Sequence, residues 1–556
     1  MSIANERSAS LLQAQFRALN ESMARHGMAP AAQSTSQVLT VLMRHGGAYT
    51  LLDRDMMTAR LLPLLSGPGT PDMAQEEIAN FVNSVGDTMA TFFSHLVPTT
   101  GYVLDSSLIS HITFPGRGLT FTNDQPVQPP GLESPTIPAA FTFVGQFIDH
   151  DLTMNAVNLF DPQAVVQNTA SPLIDLDSVY GPRTFLYNLP PSGSLFNDEG
   201  AFKLKKKSDG HGGHYYDLPR DKATHKAYIA DARNDENQMI LQLHLLILRV
   251  HNKLIRTKFH AIPDVGQRIK AAYLETLYNW QSVILDDFLP RILYKGKIDT
   301  LAFLRGELRK KNFGAFKYKP SLNLATGKYE VSLPHEFAIG FRFGHSMLKP
   351  AYLLRPTQKL PIPLFNNALT ADKHGNIADL RGSQPLIADH LINFPFFAGE
   401  FKSNLIDGKV TSVVFDLPES AIPDDIKFVG NLPQRNLIRS SQVGLCAGED
   451  LAAFYGTTPL TPKQVDPDET AWPLYGGEKD FRTPLWYYLL KEAEIQGQPR
   501  GTLGMLGSRL VGEVILGAID WGEHSVLHLK NWTSSIPLQS KGKVTLLDLA
   551  AYVQGD

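Results

Sequence analysis

The chain has 556 residues, 43% hydrophobic and 19% charged, enough apolar material to build one very large domain or several ordinary ones. A formal net charge of -3 and a pI near 6.6 offer no strong counterion-release term, which argues against nucleic acid or an acidic membrane as partner and points to a small molecule. The single cysteine, Cys446, excludes an internal disulfide framework, a thiolate metal cage and an iron-sulfur cluster.

The segment Met1 to Arg7 mixes charges and leads into no continuous apolar run, so no cleavable leader is expected; the compartment stays open between the cytoplasm and export by a non-classical route. Later apolar runs such as Leu510 to Trp521 are interrupted by Gly, Glu and Asp and are too short for a bilayer. Leu11 to Arg25 has amphipathic helical periodicity and Pro30 to Gln37 reads as a linker, which makes residues 1–37 an arm. Residues 38 to 97 are expected to alternate apolar helical segments with a break at Ser66 to Pro71. Thr99 to Pro138, rich in Gly, Pro, Ser and Thr, is expected to be an irregular lead-in, so 38–137 forms a helical extension ahead of a main domain at 138–556.

Phe141 to Leu152 reads as a helix on which Phe143 with Phe147, and Val144 with Ile148, form an apolar stripe while Gln146 and His150 share another line. Asp149 and Asp151 flank His150 at about 100° on either side, so one turn can serve two neighbouring sites. Taken alone, this run reads as a solvated helix end, with an Asp-His-Asp stretch facing water. Ser171 to Pro182 is an acidic loop ending in a turn. Lys203 to Lys207 and His211 to His214 read as a solvated loop, with no third ligand near the two histidines. Strong apolar helices are expected over Asp235 to Lys258 and Val265 to Phe288, and a third from about His335 that includes Phe341, Arg342 and His345. Short extended pieces at Lys328 to Val331 and Val410 to Phe415 could pair, and no internal repeat is present. The expected fold is mainly α-helical with little β-structure.

Four separated segments carry a common pattern: Gly145 to Asp151; Ala232-Arg233-Asn234-Asp235-Glu236, running into Leu243 to Asn252; Phe341 to His345; and Leu432 to Ser440. In this order and spacing they resemble the distal-histidine, distal-arginine, proximal-histidine and histidine-supporting motifs of the animal-type haem peroxidases, in a bacterial branch of that family. The resemblance covers roughly residues 138 to 535, as one large helical haem peroxidase domain. It implies haem b, with His345 as the iron ligand and Asn436 as its hydrogen-bond partner. His150 is then the group that takes a proton from peroxide and returns it, Arg233 a fixed positive charge, and Gln146 the holder of a distal water or halide. Asp149 and Glu236 match the positions that form ester bonds to haem, and Arg342 and Arg439 those that pair with its propionates.

The acidic loop matches the family's Ca²⁺ site, with Asp151, Asp175 and Asp177 as carboxylates, Ser171 as a hydroxyl and Leu173 as a backbone carbonyl. The implied activity is reduction of hydrogen peroxide with oxidation of bromide, iodide, thiocyanate or small aromatic donors. Without the resemblance, His345 reads as a core histidine, Glu236 as a first-turn acid favouring the helix dipole, and His244 and His251 as packing residues. Two departures stand out. Asn237 occupies the place of a methionine that links to haem in some members, and Ser440 to Cys446 lacks the family's usual Asp-His pair. The rival within the same superfamily is a fatty-acid dioxygenase, which carries a tyrosine three residues before the proximal histidine; here that residue is Arg342.

Overall fold

The computed structural model describes residues 40–44, 47–51, 91–97, 102, 104, 106–113, 132–158, 167–168, 170–181 and 195–555, apart from 297, 310–315, 324–327, 370–376, 419–429, 470 and 540–541. The expected arm at 1–37 and the break at Ser66 to Pro71 lie outside them. Helices dominate, as expected; those used below are α1 (Ser106–Thr113), α2 (Ala140–Leu152), α3 (Gln238–Thr257), α4 (Val265–Val283), α5 (His335–Gly340), α6 (Leu432–Gln442), α7 (Leu485–Gln496), α8 (Met505–Asp520) and α9 (Leu546–Val553), with further helices such as Thr300–Arg309 and Gly448–Tyr455 and shorter turns between. Their apolar faces join one hydrophobic cluster running from Phe93 to Val553. No helix among the described residues is long and apolar enough to cross a membrane.

At the centre lies α3, buried on nearly every side and packed against α2, α4 and α9. Its start is set by Asn237, whose side chain accepts the N–H groups of Met239 and Ile240 at 3.1 and 2.9 Å. Before the cap the chain makes a 3-10 turn, Ala232–Asp235, against which Arg381 to Ser383 runs antiparallel. Gly382 is required there, because a Cβ would sit 1.7 Å from the Asp235 carbonyl oxygen. Helix α4 runs on into one wide π turn, Ile284–Phe288, of the kind that clusters at functional sites.

The third expected helix begins at His335 but tightens after Gly340 into a 3-10 turn, Phe341–Met347. Residues three apart eclipse in that geometry, so Arg342 and His345 project to one side. Phe337 stacks on Phe341 at 4.9 Å across the change of pitch.

Several expectations are corrected. Thr40–Arg44 (β1) and Gly47–Leu51 (β2) are antiparallel strands and not helical segments; with Thr91–Phe92 (β3), Asn155–Asn158 (β5) and Gln167–Asn168 (β6) they form a sheet of order β2-β1-β5-β6-β3. Thr40 pairs with Leu51 on one side and Asn158 on the other, and a partner so distant in sequence leaves no local periodicity to read. The irregular lead-in contains α1 and a strand, Glu133–Pro138 (β4), paired with Lys402–Asn404. The lysine-rich loop is a hairpin, Lys205–Ser208 (β7) with His214–Asp217 (β8). Lys328–Glu330 pairs with Ser321–Asn323, and Ser412–Val414 is a 3-10 turn, so those two pieces do not meet.

Candidate functional site

A cavity lies between α2, the 3-10 turn at Phe341–Met347, and the N-terminus of α6. Phe141, Phe288, Phe341, Phe343, Leu364, Phe365 and Leu432 make most of its wall. The polar groups in that wall are few: Thr142, Gln146 and Asp149 from α2, Glu236 and Asn237 before α3, and Arg342 and His345. A Cβ placed on Gly344, also in the wall, would meet nothing within 4 Å.

On the α2 side, Gln146 donates from Nε2 to Glu236 Oε1, and its own Oε1 accepts from Asn237 Nδ2 at 3.1 Å. Glu236 Oε1 also lies 3.5 Å from His150 Nε2. His150 is fully buried and does not itself line the cavity; Glu236 connects it to the wall. The other ring nitrogen, Nδ1, is 2.9 Å from Asn234 Oδ1.

Arg233 is likewise buried outside the wall, donating from Nη2 to the backbone carbonyl of His150 at 2.8 Å and to Asp231 Oδ2 at 2.6 Å. Burial works against both charges. The pair overcomes it, holding the Asp231 carboxyl below its ordinary range and Arg233 above its own.

Across the cavity, His345 is half-buried, with Nδ1 2.9 Å from Asn436 Nδ2. Asn436 Oδ1 accepts from Arg342 Nη1 at 3.0 Å. A guanidinium can only donate, so Arg342 turns the Asn436 amide group to present its N–H to His345. Burial lowers the Arg342 guanidinium, and burial together with Arg342 brings Arg439 down to about 9. Arg439 is buried with no acceptor at Nε, and neither arginine forms an ion pair among the described residues. Asp149 Oδ1 is buried without a hydrogen-bond partner. The edge of Trp486, 6.3 Å away, closes the far side of the His345 ring.

The acidic loop folds back onto the end of α2. One oxygen each of Asp151, Asp175 and Asp177 fall within 4.8 Å of one another. Burial, then Asp175, pushes the Asp151 carboxyl up to about 8, and the same causes raise Asp177. Backbone N–H groups of Asp175, Leu176 and Ser178 meet Asp151 at 3.2, 3.0 and 3.4 Å. Ser171 takes part through its backbone N–H, 2.7 Å from Asp177 Oδ2, and Leu173 lies half-buried in the same loop. Leu176 adopts a left-handed conformation, φ 59°. His211 and His214 are exposed on the hairpin and join no group of three metal-ligating side chains among the described residues.

Three residues without an expected role therefore belong to the site: Asp231, which holds Arg233; Asn234, which meets His150; and Asn237, which caps α3 and holds Gln146. Asp231 has a local signal, since an aspartate two residues before Arg233 accepts its backbone N–H in an Asx turn at 2.9 Å. Asn234 sits inside a recognised motif, but its partner is 84 positions away and invisible locally.

Residues 158–393 match the family model described as animal haem peroxidase. A comparison with curated proteins finds no match. Among solved structures, the chain is similar to a variant of Oryza sativa fatty acid alpha-dioxygenase with palmitic acid, at 11% identity and TM-score 0.51, covering 90% of this chain and 91% of that one. It is also similar to peroxidase A from Dictyostelium discoideum, at 15% identity and TM-score 0.49 over 78% and 87% of the two chains. Fatty acid alpha-dioxygenase from Arabidopsis thaliana gives 12% identity and TM-score 0.49 over 90% and 87%. At these identities the rice structure speaks for the fold alone.

Proposed function

We propose that the chain is a peroxidase of the animal haem peroxidase family, whose model residues 158–393 match, and that it reduces hydrogen peroxide and oxidises bromide, iodide, thiocyanate or small aromatic donors. When bound, haem b supplies an iron that passes electrons to peroxide and recovers them from the donor.

One arrangement carries the reading. A single cavity joins an imidazole and the Arg342 guanidinium in its wall, a carboxylate oxygen without a hydrogen-bond partner among the described residues and, through Glu236, a second buried imidazole, with the buried Arg439 close enough to Arg342 to feel its charge. That donor set fits a flat, iron-centred dianion. His345 would hold the iron, Arg342 and Arg439 the propionates, and Asp149 and Glu236 the ester positions. A propionate drawing Arg342 away would free the Asn436 amide to turn, so that His345 donates from Nδ1 to Oδ1 and keeps the Nε2 lone pair for the metal.

On the other side, His150 takes the first proton of peroxide at Nε2 and returns it to the leaving oxygen. Glu236 must swing away for this, as an ester bond would require in any case. Arg233 keeps a permanent charge beside the His150 carbonyl, and Gln146 holds a water or halide. The acid triad fits Ca²⁺, which needs hard oxygen ligands and would relieve the mutual repulsion of the three carboxylates.

Arg342 favours peroxidase over dioxygenase, because a guanidinium cannot hold the radical that a tyrosine would supply at this position. The test is to add peroxide to purified haem-loaded protein, then either bromide or linoleate with oxygen. Bromination with no oxygenated fatty acid is expected. Oxygenated linoleate without bromide turnover would overturn the reading.

A further inference from the structure

We propose that Asn234 is the positioning residue of the distal imidazole: its amide sets which nitrogen of His150 carries the proton and so leaves Nε2 as the atom that meets peroxide. This rests on the peroxidase reading above and deepens it.

The argument begins at a backbone carbonyl. Asn234 is fully buried, and its Nδ2 lies 3.1 Å from the carbonyl oxygen of Ser178, which can only accept. The NH₂ end of the amide therefore faces Ser178, and the oxygen faces the other way. That oxygen is 2.9 Å from His150 Nδ1, and an amide oxygen also only accepts, so the ring must carry its hydrogen on Nδ1. A neutral ring protonated there has its lone pair on Nε2, the nitrogen 3.5 Å from the wall carboxylate Glu236.

The second N–H of the same amide points at His244 Nδ1, 3.1 Å away. Burial brings the His244 ring down to about 3, which keeps it neutral, with one ring nitrogen free to accept. Both N–H groups and the oxygen of the Asn234 side chain are thus engaged, and the amide cannot turn over without setting acceptor against acceptor at the Ser178 carbonyl.

Its neighbour completes the grip. Arg233 holds the backbone carbonyl of His150 at 2.8 Å, so two consecutive residues fix the main chain and the ring of the same histidine. Ser178, which orients the amide, also donates its backbone N–H to Asp151, the residue after His150. The alternative is that Asn234 merely fills space. In that case its shape would matter and its oxygen would not.

The test uses haem-loaded protein and rapid mixing. Asn234→Leu, which keeps the shape and removes the acceptor, should react with peroxide about 10²-fold more slowly. The later electron transfer from a small aromatic donor to the peroxide-treated enzyme, in which His150 has no proton to take, should stay within about threefold of wild type. Asn234→Asp, which keeps an oxygen facing Nδ1, should restore the peroxide rate to within about tenfold. If the leucine variant does not accumulate with haem, the aspartate variant decides alone: a fall of about 10²-fold there would overturn the inference, because the acceptor is still present. Parallel slowing of both phases in Asn234→Leu, or no slowing, would also overturn it. His150→Ala separates the two levels: wild-type peroxide kinetics in that variant would sink the peroxidase reading itself, whereas a slow His150→Ala with a fast Asn234→Leu would remove only the role of Asn234.

Discussion

His150 and His345 are alike in side chain and in having an asparagine at Nδ1, yet the two amides face them with opposite ends. The Asn234 oxygen makes His150 a donor at Nδ1, while Asn436 offers His345 an N–H because Arg342 occupies its oxygen. Replacing His345 with alanine should abolish stable haem binding, seen as loss of the Soret band on gel filtration. His150→Ala and Arg233→Ala should retain haem and slow the reaction with peroxide by about 10²-fold, measured by stopped flow. Asn237→Ala loses the cap of α3 and should cost about 1 kcal/mol in denaturant unfolding; it also releases Gln146, so a change in halide affinity should accompany it. These positions differ in how visible they were. His150, Arg233 and His345 stand out only through the order and spacing of four motifs taken together, each weak alone, whereas Asp231, Asn234 and the Asn237–Gln146 contact depend on chain segments that meet only after folding.

At the scale of elements, the acidic loop and α2 share Asp151, so the loop steadies the helix end that carries His150. Chelation of Ca²⁺ should lower the melting temperature and the peroxide rate together, and elemental analysis should find metal in the untreated protein; chelation without effect on either would remove the site. The junction of α7 and α8 gives a separate pH prediction. Glu492 accepts the N–H groups of Leu506 and Gly507 at 2.8 and 3.0 Å, and burial nevertheless raises its carboxyl to about 7. An acid raised in the folded state contributes stability that is full below its ordinary range and lost as pH climbs through the raised value. Unfolding free energy should therefore fall by about 3 kcal/mol between pH 4.5 and 7.5 from this residue, and Glu492→Gln should flatten the curve.

Helix α3 was legible as an element because its apolar residues repeat with one period for five turns, and α2 for the same reason. The 3-10 turn that presents Arg342 and His345 was not, since the pattern through Phe337 and Phe341 is compatible with either pitch until neighbouring helices choose. Strands β1 and β2 were hidden for a different reason: their pairing with β5 is a tertiary fact.

For the molecule as a whole, the cavity wall limits what can act on the macrocycle. With Asn237 in place of the methionine, the links proposed for Asp149 and Glu236 would be the ones left to alter it, and on that reading bromide, iodide and thiocyanate should be oxidised near neutral pH and chloride slowly or not at all; equal turnover of chloride and bromide would refute this. Haem should resist acid-acetone extraction after peroxide turnover, and Asp149→Ala combined with Glu236→Ala should release it. The span of the two imidazole contacts has a consequence for how the protein is made. The partner of His150 comes 84 residues after it, and that of His345 comes 91 residues later, on α6. A nascent chain translated as far as the 3-10 turn holds both histidines and Asn234 but neither Asn436 nor Arg439. On the proposed haem assignment, stable capture is therefore expected only once α6 has left the ribosome.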